Sequence, residues 1–428
     1  VACQPQLPDG GADAGSSADA GAVDAGLPSA DAGGTSDAGG TSDAGPKDAG
    51  TMAHDFYSGA DDRAMVDVPQ DNAAPAACTM PPAGPCLYRP PLVATVEEVV
   101  FDDDVSYLDV LGRRRFVSIA VYRAPNLPRH APVVLMSHGG AQGVRHATKA
   151  MQEWASIISG AGYVVISLAH DDYPLSSNDG GVSDYELLCD AVGVPRASGF
   201  MCDLKVNWAR PYDLQAVLSW LGDREATNDA WAEAIDLKRV AHFGHSAGAG
   251  AALMAGGVTR NFLCAQPFGA NQGSLVPCST TNLVSRRIPQ IRAIVAFSPQ
   301  GPGSDGFMTE SYASLAVPML MASGRYDGDV GEPQNRVLLW DLVPGGERWK
   351  VFLDHDGAQH GLLGGNLDPC INAPGVSVAQ CQTLRATLRA AALAFLDAQL
   401  RQSQAGRAWL GSHYVETLSG GASTLVSR

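Results

Sequence analysis

Ser246 is the residue whose setting most plainly asks for chemistry. It stands in Gly244-His245-Ser246-Ala247-Gly248, at the top of the apolar run Val240-Ala241-His242-Phe243, and a run of small residues from Ala249 to Ala255 follows. That pattern is strand, sharp turn and helix, with a hydroxyl at the tip. A serine thrust out at a strained turn needs neighbours without a Cβ, and Gly244 and Gly248 supply them. A serine hydroxyl is a weak nucleophile at neutral pH. It needs a base, and the base needs a carboxylate to orient it.

Those partners belong past the carboxyl ends of later strands. The apolar run Val317 to Ala322 leads through Gly324-Arg325-Tyr326 to Asp327, and the run Arg348 to Leu353 leads through Asp354-His355-Asp356-Gly357-Ala358-Gln359 to His360. His360 is taken as the base, because its loop is long enough to fold back over the sheet end and Gly357 and Gly361 let it bend. His355 lies too close to the strand and reads as a loop histidine. Asp327 is taken as the acid over Asp329 because it comes first after the turn, although Asp-Gly is also a common turn pair. His245 reads as packed against its neighbours. An acyl-transfer intermediate also needs two N–H donors. One is expected from Ala247 at the helix start. The other is expected from Ser137-His138-Gly139-Gly140, with Gly140 first and Ala141 or Gln142 next in line, and His138 fixing that loop.

Positioning these groups takes a large core, and 428 residues with 45% hydrophobic content allow one. The net charge is −16, half of it carried by residues 1–60. No basic stripe suggests nucleic acid, and no apolar run reaches the roughly 20 residues of a membrane span. Residues 5–50 repeat Asp-Ala-Gly, from Asp13-Ala14-Gly15 to Asp48-Ala49-Gly50, and residues 1–60 read as a solvated, self-repelling tether expected to be disordered. Residues 61–91 form a Pro/Ala-rich lead-in, and 92–428 form the catalytic domain. Within it, strands are expected at 92–101, 115–122, 131–136, 163–168, 291–297, 317–322 and 348–353, besides the run into Ser246. Helices are expected at 148–159, 210–221, 332–342 and 381–400. Short apolar strands alternating with helices predict an α/β fold with a mostly parallel central sheet covered on both faces. Insertions near 171–210 and 260–288 break the rhythm.

Eight of the nine cysteines fall as sequence neighbours: Cys78 with Cys86, Cys189 with Cys202, Cys264 with Cys278, and Cys370 with Cys381. Such couples predict local disulfides and an oxidising compartment. A zinc site would need histidines at spacings that are missing. Cys3 has no near neighbour, and Val1-Ala2-Cys3-Gln4 reads as a bacterial lipoprotein processing site with Cys3 as the lipidated residue.

The order Ser246, Asp327, His360 resembles that of the α/β-hydrolase superfamily. Within it, Ser137-His138-Gly139-Gly140, the helix opening Arg210-Pro211-Tyr212-Asp213 and the Gly244–Gly248 pentapeptide are similar to those of dienelactone-hydrolase-like and platelet-activating-factor-acetylhydrolase-like esterases. Bacterial polyester hydrolases share the layout. The resemblance implies an α/β-hydrolase fold with an eight-stranded sheet, no metal or other cofactor, an acyl-enzyme route and an ester substrate. A secreted or surface-tethered serine esterase is therefore expected. A polyester hydrolase, an acyltransferase or a serine peptidase would use the same triad, and a binding module would be expected to have lost it. The two insertions cover the regions that shape pockets in such relatives, so the substrate does not carry over.

The tail reading predicts that the full-length precursor, expressed in a bacterial host, partitions with membranes and that Cys3→Ser releases it. Membrane partitioning that survives Cys3→Ser would rule the lipid anchor out.

Overall fold

In the computed structural model the chain divides into two units, Val1–Ala53 and His54–Arg428. The structure describes residues 63–69, 77–78, 84–101, 104–108, 114–127, 129–139, 151–170, 209–226, 234–261, 280, 283–328, 333–364 and 376–428. Its strands are β1 (Arg63–Asp67), β2 (Thr95–Phe101), β3 (Ser106–Leu108), β4 (Arg114–Phe116), β5 (Ser118–Arg123), β6 (Ala131–Ser137) and β7 (Val164–Ala169), then β8 (Ile235–His245), β9 (Arg260–Asn261), β10 (Leu283–Val284), β11 (Ile291–Phe297), β12 (Met319–Gly324), β13 (Arg348–Leu353) and β14 (Ser423–Ser427). The helices are α1 (Gln152–Gly160), α2 (Arg210–Ala226), α3 (Ala247–Ala255), α4 (Pro333–Leu342), α5 (His360–Leu363), α6 (Val378–Leu400), α7 (Gln404–Leu410) and α8 (Tyr414–Leu418).

One ten-stranded sheet carries the fold, in the order β1-β2-β5-β7-β6-β8-β11-β12-β13-β14. Its centre, β7 to β13, is parallel, and antiparallel strands flank it on both sides. The architecture is α/β with a mixed sheet whose parallel strands lie at the centre. The two outermost strands, β1 and β14, lie outside the strands expected from sequence. Arg63-Ala-Met-Val-Asp67 and Ser423-Thr-Leu-Val-Ser427 are short and polar at both ends, as suits a sheet edge. β3–β4 and β9–β10 are separate two-stranded ribbons.

The central strands are buried on both faces, so they read as unbroken apolar runs; every residue of β6, β7 and β12 is buried. Two cores result. One packs α1, α6 and the α7 side chains Trp409 and Leu410 on one face, and the other packs α2, α3 and α4 on the opposite face. α6 opens with a capping box in which Ser377 Oγ accepts from Gln380 N–H while the Gln380 side chain returns to the Ser377 N–H.

The lead-in is fastened to α6 and α7. Cys78 and Cys86 form a disulfide, Trp409 Nε1 donates to the Cys86 carbonyl at 2.8 Å, and the Tyr88 and Tyr163 hydroxyls both donate to the buried Asp397 carboxylate. Cys381 is also disulfide-bonded. Its expected partner Cys370 lies outside the described residues, as do Cys3, Cys189, Cys202, Cys264, Cys278, the Asp-Ala-Gly tail and most of both insertions. Among the described residues, no helix is long and apolar enough to cross a membrane.

Chain order fixes where a crevice opens. From β6 the chain passes to β7 on one side, and from β8 it passes to β11 on the other. The connections after β6 and β8 therefore leave in opposite directions at the carboxyl edge, as at a topological switch point. Ser137 at the end of β6 is level with Gly244 of β8, and His245 is level with Phe297 of β11.

A chain begun at Asp61 should keep its melting temperature, because it retains β1. A chain begun at Gln70 loses β1 and the buried Val68, whose methyls lie 3.0 and 3.3 Å from where a Cβ on Gly160 would fall. That second truncation should cost about 2 kcal/mol or more. Equal melting temperatures for the two would show that β1 contributes nothing.

Candidate active site

The elbow is a backbone contact before it is a site. Ser246 has φ 55° and ψ −120°, an unfavourable conformation for a residue with a side chain. A Cβ on Gly244 would lie 2.0 Å from the Gly248 carbonyl oxygen, and one on Gly248 would lie 2.0 Å from that of Ser137. No side chain fits at either position, so strand, turn and helix close only with glycine there. The Ser246 N–H donates to the Phe297 carbonyl at 2.9 Å, which ties the turn to β11. As the residue before α3, Ser246 makes no capping bond with its side chain, and the hydroxyl is not spent on the helix. Ala247 opens that helix, so its N–H lies outside the ladder of α3.

Asp327 sits three residues past β12 and His360 begins α5, seven residues past β13. The imidazole Nδ1–H donates to Asp327 Oδ1 at 2.6 Å. Ser323 Oγ donates to Asp327 Oδ2 at 2.9 Å, and Arg336 Nε donates to the Asp327 carbonyl at 2.8 Å while lying 3.5 Å from Oδ1. Burial pushes this carboxyl up, but the His360 hydrogen bond, the Arg336 charge and Ser323 outweigh it and hold the group below its ordinary value. With Nδ1 committed as donor, His360 carries its lone pair on Nε2, the tautomer a general base needs. A bridge between Tyr326 and Gln359 aligns the two segments. His355 is a turn residue whose Nδ1 accepts from the Gly357 N–H. Asp329 lies outside the described residues.

His245 joins the two halves. Its Nε2–H donates to the His360 carbonyl at 3.1 Å, and the two rings are 4.7 Å apart at their centroids. Backbone closes on it from two sides. A Cβ on Gly139 would lie 3.3 Å from both His245 Nδ1 and Ser246 Cβ, and one on Gly364 would lie 3.2 Å from His245 Cε1. Burial, then the neighbouring His360, push the His245 imidazole down to about 3. It stays neutral.

No family model matches the chain, and no curated protein does.

The turn after β6 carries a second polar cluster. His170 Nδ1–H donates to Asp213 Oδ2, Ser137 Oγ–H donates to His170 Nε2, and His242 Nε2–H donates to Ser137 Oγ, each at 2.8 Å. One run of neutral tautomers satisfies all three bonds and leaves His242 Nδ1 without a partner among the described residues. Arg115 and Tyr107 also donate to Asp213. Burial raises the Asp213 carboxyl, but Arg115 and His170 outweigh it and leave the group ionised far below its ordinary range. Burial, with Arg210 next, pushes His170 down to about 4 and His138 well down, and burial pushes His242 down to about 3. Gly140, Ala141 and Gln142 lie outside the described residues. Sequence reasoning missed Ser137, His170 and His242 in this role, as well as Ser323 and Arg336. The available signal was the Arg210-Pro211-Tyr212-Asp213 helix start, whose partners are remote in the chain. Among the described residues no group of three or more His, Cys, Asp or Glu is placed to hold a metal ion.

Four buried imidazoles with depressed pKa values set an acid limit. Below about pH 6.5 the unfolded chain takes up protons that the native His138, His170, His242 and His245 refuse, so stability falls as pH drops toward the native values. Each contributes up to about 1.4 kcal/mol per pH unit. Below about pH 4, Asp213 and Asp327 add a loss of the same sign. Urea midpoints should therefore fall from pH 7.5 to 4.5. A flat midpoint over that interval would mean these imidazoles are not held neutral.

Proposed function

We propose that this protein is a serine hydrolase of α/β-hydrolase type that cleaves carboxylic esters through an acyl-enzyme. The observation that carries the reading is the strained Ser246 turn beside the 2.6 Å His360–Asp327 pair, all three groups at the carboxyl ends of parallel strands. His360 Nε2 takes the Ser246 proton as Oγ attacks the ester carbonyl. Ala247 N–H and a donor from the turn after β6, Gly140 by the sequence reading, hold the oxyanion. Collapse expels the alcohol, protonated by His360. Water then attacks the acyl group with His360 again as base, and the acid leaves. Asp327 holds the tautomer and stabilises the imidazolium.

The chain order serine, aspartate, histidine and the switch between β6 and β8 support the α/β-hydrolase assignment, with β1 and β14 as two strands beyond the eight of the resemblance. An intact acid–base pair, its carboxylate buried and its imidazole partly open, speaks against a binding module, which has no use for one. The Cys78–Cys86 disulfide supports an extracytoplasmic location.

A fluorophosphonate probe should label wild-type protein at Ser246. Ser246→Ala and His360→Ala should each lower p-nitrophenyl ester turnover by about 10³-fold or more without unfolding the chain, and Asp327→Ala should be nearly as severe. Absence of labelling on folded wild type would overturn the reading. Turnover of peptides in preference to esters would move it to a peptidase.

A further inference from the structure

Asp213, His170 and Ser137 repeat the hydrogen-bond chain of a catalytic triad, but they sit where no substrate can reach. All three side chains are buried, and the Ser137 hydroxyl is already shared with His242. The array does something else. It bolts the first turn of α2 to the ends of β6, β7 and β8, and that turn begins with Arg210.

Arg210 is fully buried. Its Nη1 donates to the His138 carbonyl, and its Nη2 donates to the Gly139 carbonyl at 3.1 Å. The Gly139 carbonyl also accepts from His138 Nδ1–H at 2.6 Å, while His138 Nε2 accepts from the His170 N–H at 3.0 Å. Two consecutive peptide oxygens are thus gripped by one planar guanidinium, in charge-assisted bonds. A trans peptide is planar, with its C=O and N–H pointing opposite ways. Gripping the His138 carbonyl therefore fixes the plane of the His138–Gly139 peptide, with the Gly139 N–H turned away from the guanidinium, and the Gly139 carbonyl is held beside it. Gly139 is also the residue whose backbone abuts Ser246 Cβ and His245.

We propose that Arg210 is a positioning residue that sets the peptide planes from which an oxyanion-binding N–H is presented to Ser246, with Asp213, His170 and Ser137 as its buried anchor. The inference rests on the serine-hydrolase reading above. A group acting through oxyanion geometry contributes to the tetrahedral state and little to ground-state binding.

The test uses the full chain with Arg210→Met, which keeps length but not donors, and Arg210→Lys, which keeps charge but not the fork. On a p-nitrophenyl ester, Arg210→Met should lower kcat about 10²-fold with KM changed by less than about threefold. The inhibition constant of a trifluoromethyl ketone, which adds to serine to give a tetrahedral oxyanion, should rise by a similar factor. Arg210→Lys should fall between, and the acid limb of the pH–rate profile should stay in place. Wild-type kcat and ketone affinity in folded Arg210→Met would overturn the proposal, as would a loss lying wholly in KM. Should Arg210→Met not fold, the same comparison is made on Arg210→Lys, and unchanged kcat and ketone affinity there overturn it equally. Failure of the wild type to take the fluorophosphonate would instead overturn the hydrolase reading itself, and this proposal with it.

Discussion

The contact of backbone on backbone at Gly244 and Gly248 is the constraint on which the carboxyl edge of the sheet depends. β8, the Ser246 turn and α3 fold back so tightly that each glycine's missing Cβ is occupied by a carbonyl oxygen. The second of those oxygens belongs to Ser137, the last residue of β6. The elbow is therefore closed against the very turn expected to face the reacting carbonyl. Its strain at Ser246 is held by the Phe297 carbonyl on β11 and by a helix of small buried residues behind it. A larger residue in α3 would lever the serine off the sheet, which explains the run of alanine and glycine in physical terms.

Around this contact the electrostatics separate into two regimes. Near Ser246, Asp327 stays ionised through hydrogen bonds and Arg336, and His245 stays neutral beside His360. A neutral neighbour suits the proposed role, because a second cation 4.7 Å from His360 would oppose the imidazolium that a general base becomes. On the other side of the β6 turn, one carboxylate, two guanidiniums and three neutral imidazoles are linked through hydrogen bonds. All but Arg115 are buried, and a buried polar group that loses its partner cannot turn to water instead.

How much of this was legible in the sequence follows from the range of the physics involved. The strands at 291–297 and 348–353 are declared locally, by mostly apolar stretches whose bounds the structure matches. The elbow is declared by two glycines four residues apart, and the acid and base by their distance past the ends of strands. The edge strands β1 and β14 are not declared, since five residues with polar ends carry too little periodic signal. The bracing cluster is hidden for a different reason. Ser137, His170, Asp213 and His242 come from four elements, and nothing local to any of them says that their side chains meet. Arg210-Pro211-Tyr212-Asp213 announces a helix start, but that the arginine turns to the β6 loop while the aspartate turns to His170 is a tertiary fact.

The same tertiary logic recurs at each loop that builds the candidate site. A loop leaving the sheet edge carries carbonyls that no ladder satisfies, and burial denies them water. Arg210 serves His138 and Gly139, Arg336 serves Ser298, Pro299 and Asp327, and Arg385 serves Leu362 and Gly364 behind His360, with Glu153 as its counter-ion. All three arginines are at most 2% exposed. A lysine could hold these oxygens only as a point charge, whereas a guanidinium has fixed donor directions and fits adjacent carbonyls at one orientation. Irregular backbone is thereby given the rigidity of a sheet without its regularity. That is what an acyl-transfer site requires, since its N–H donors and imidazole must stand in place before charge develops.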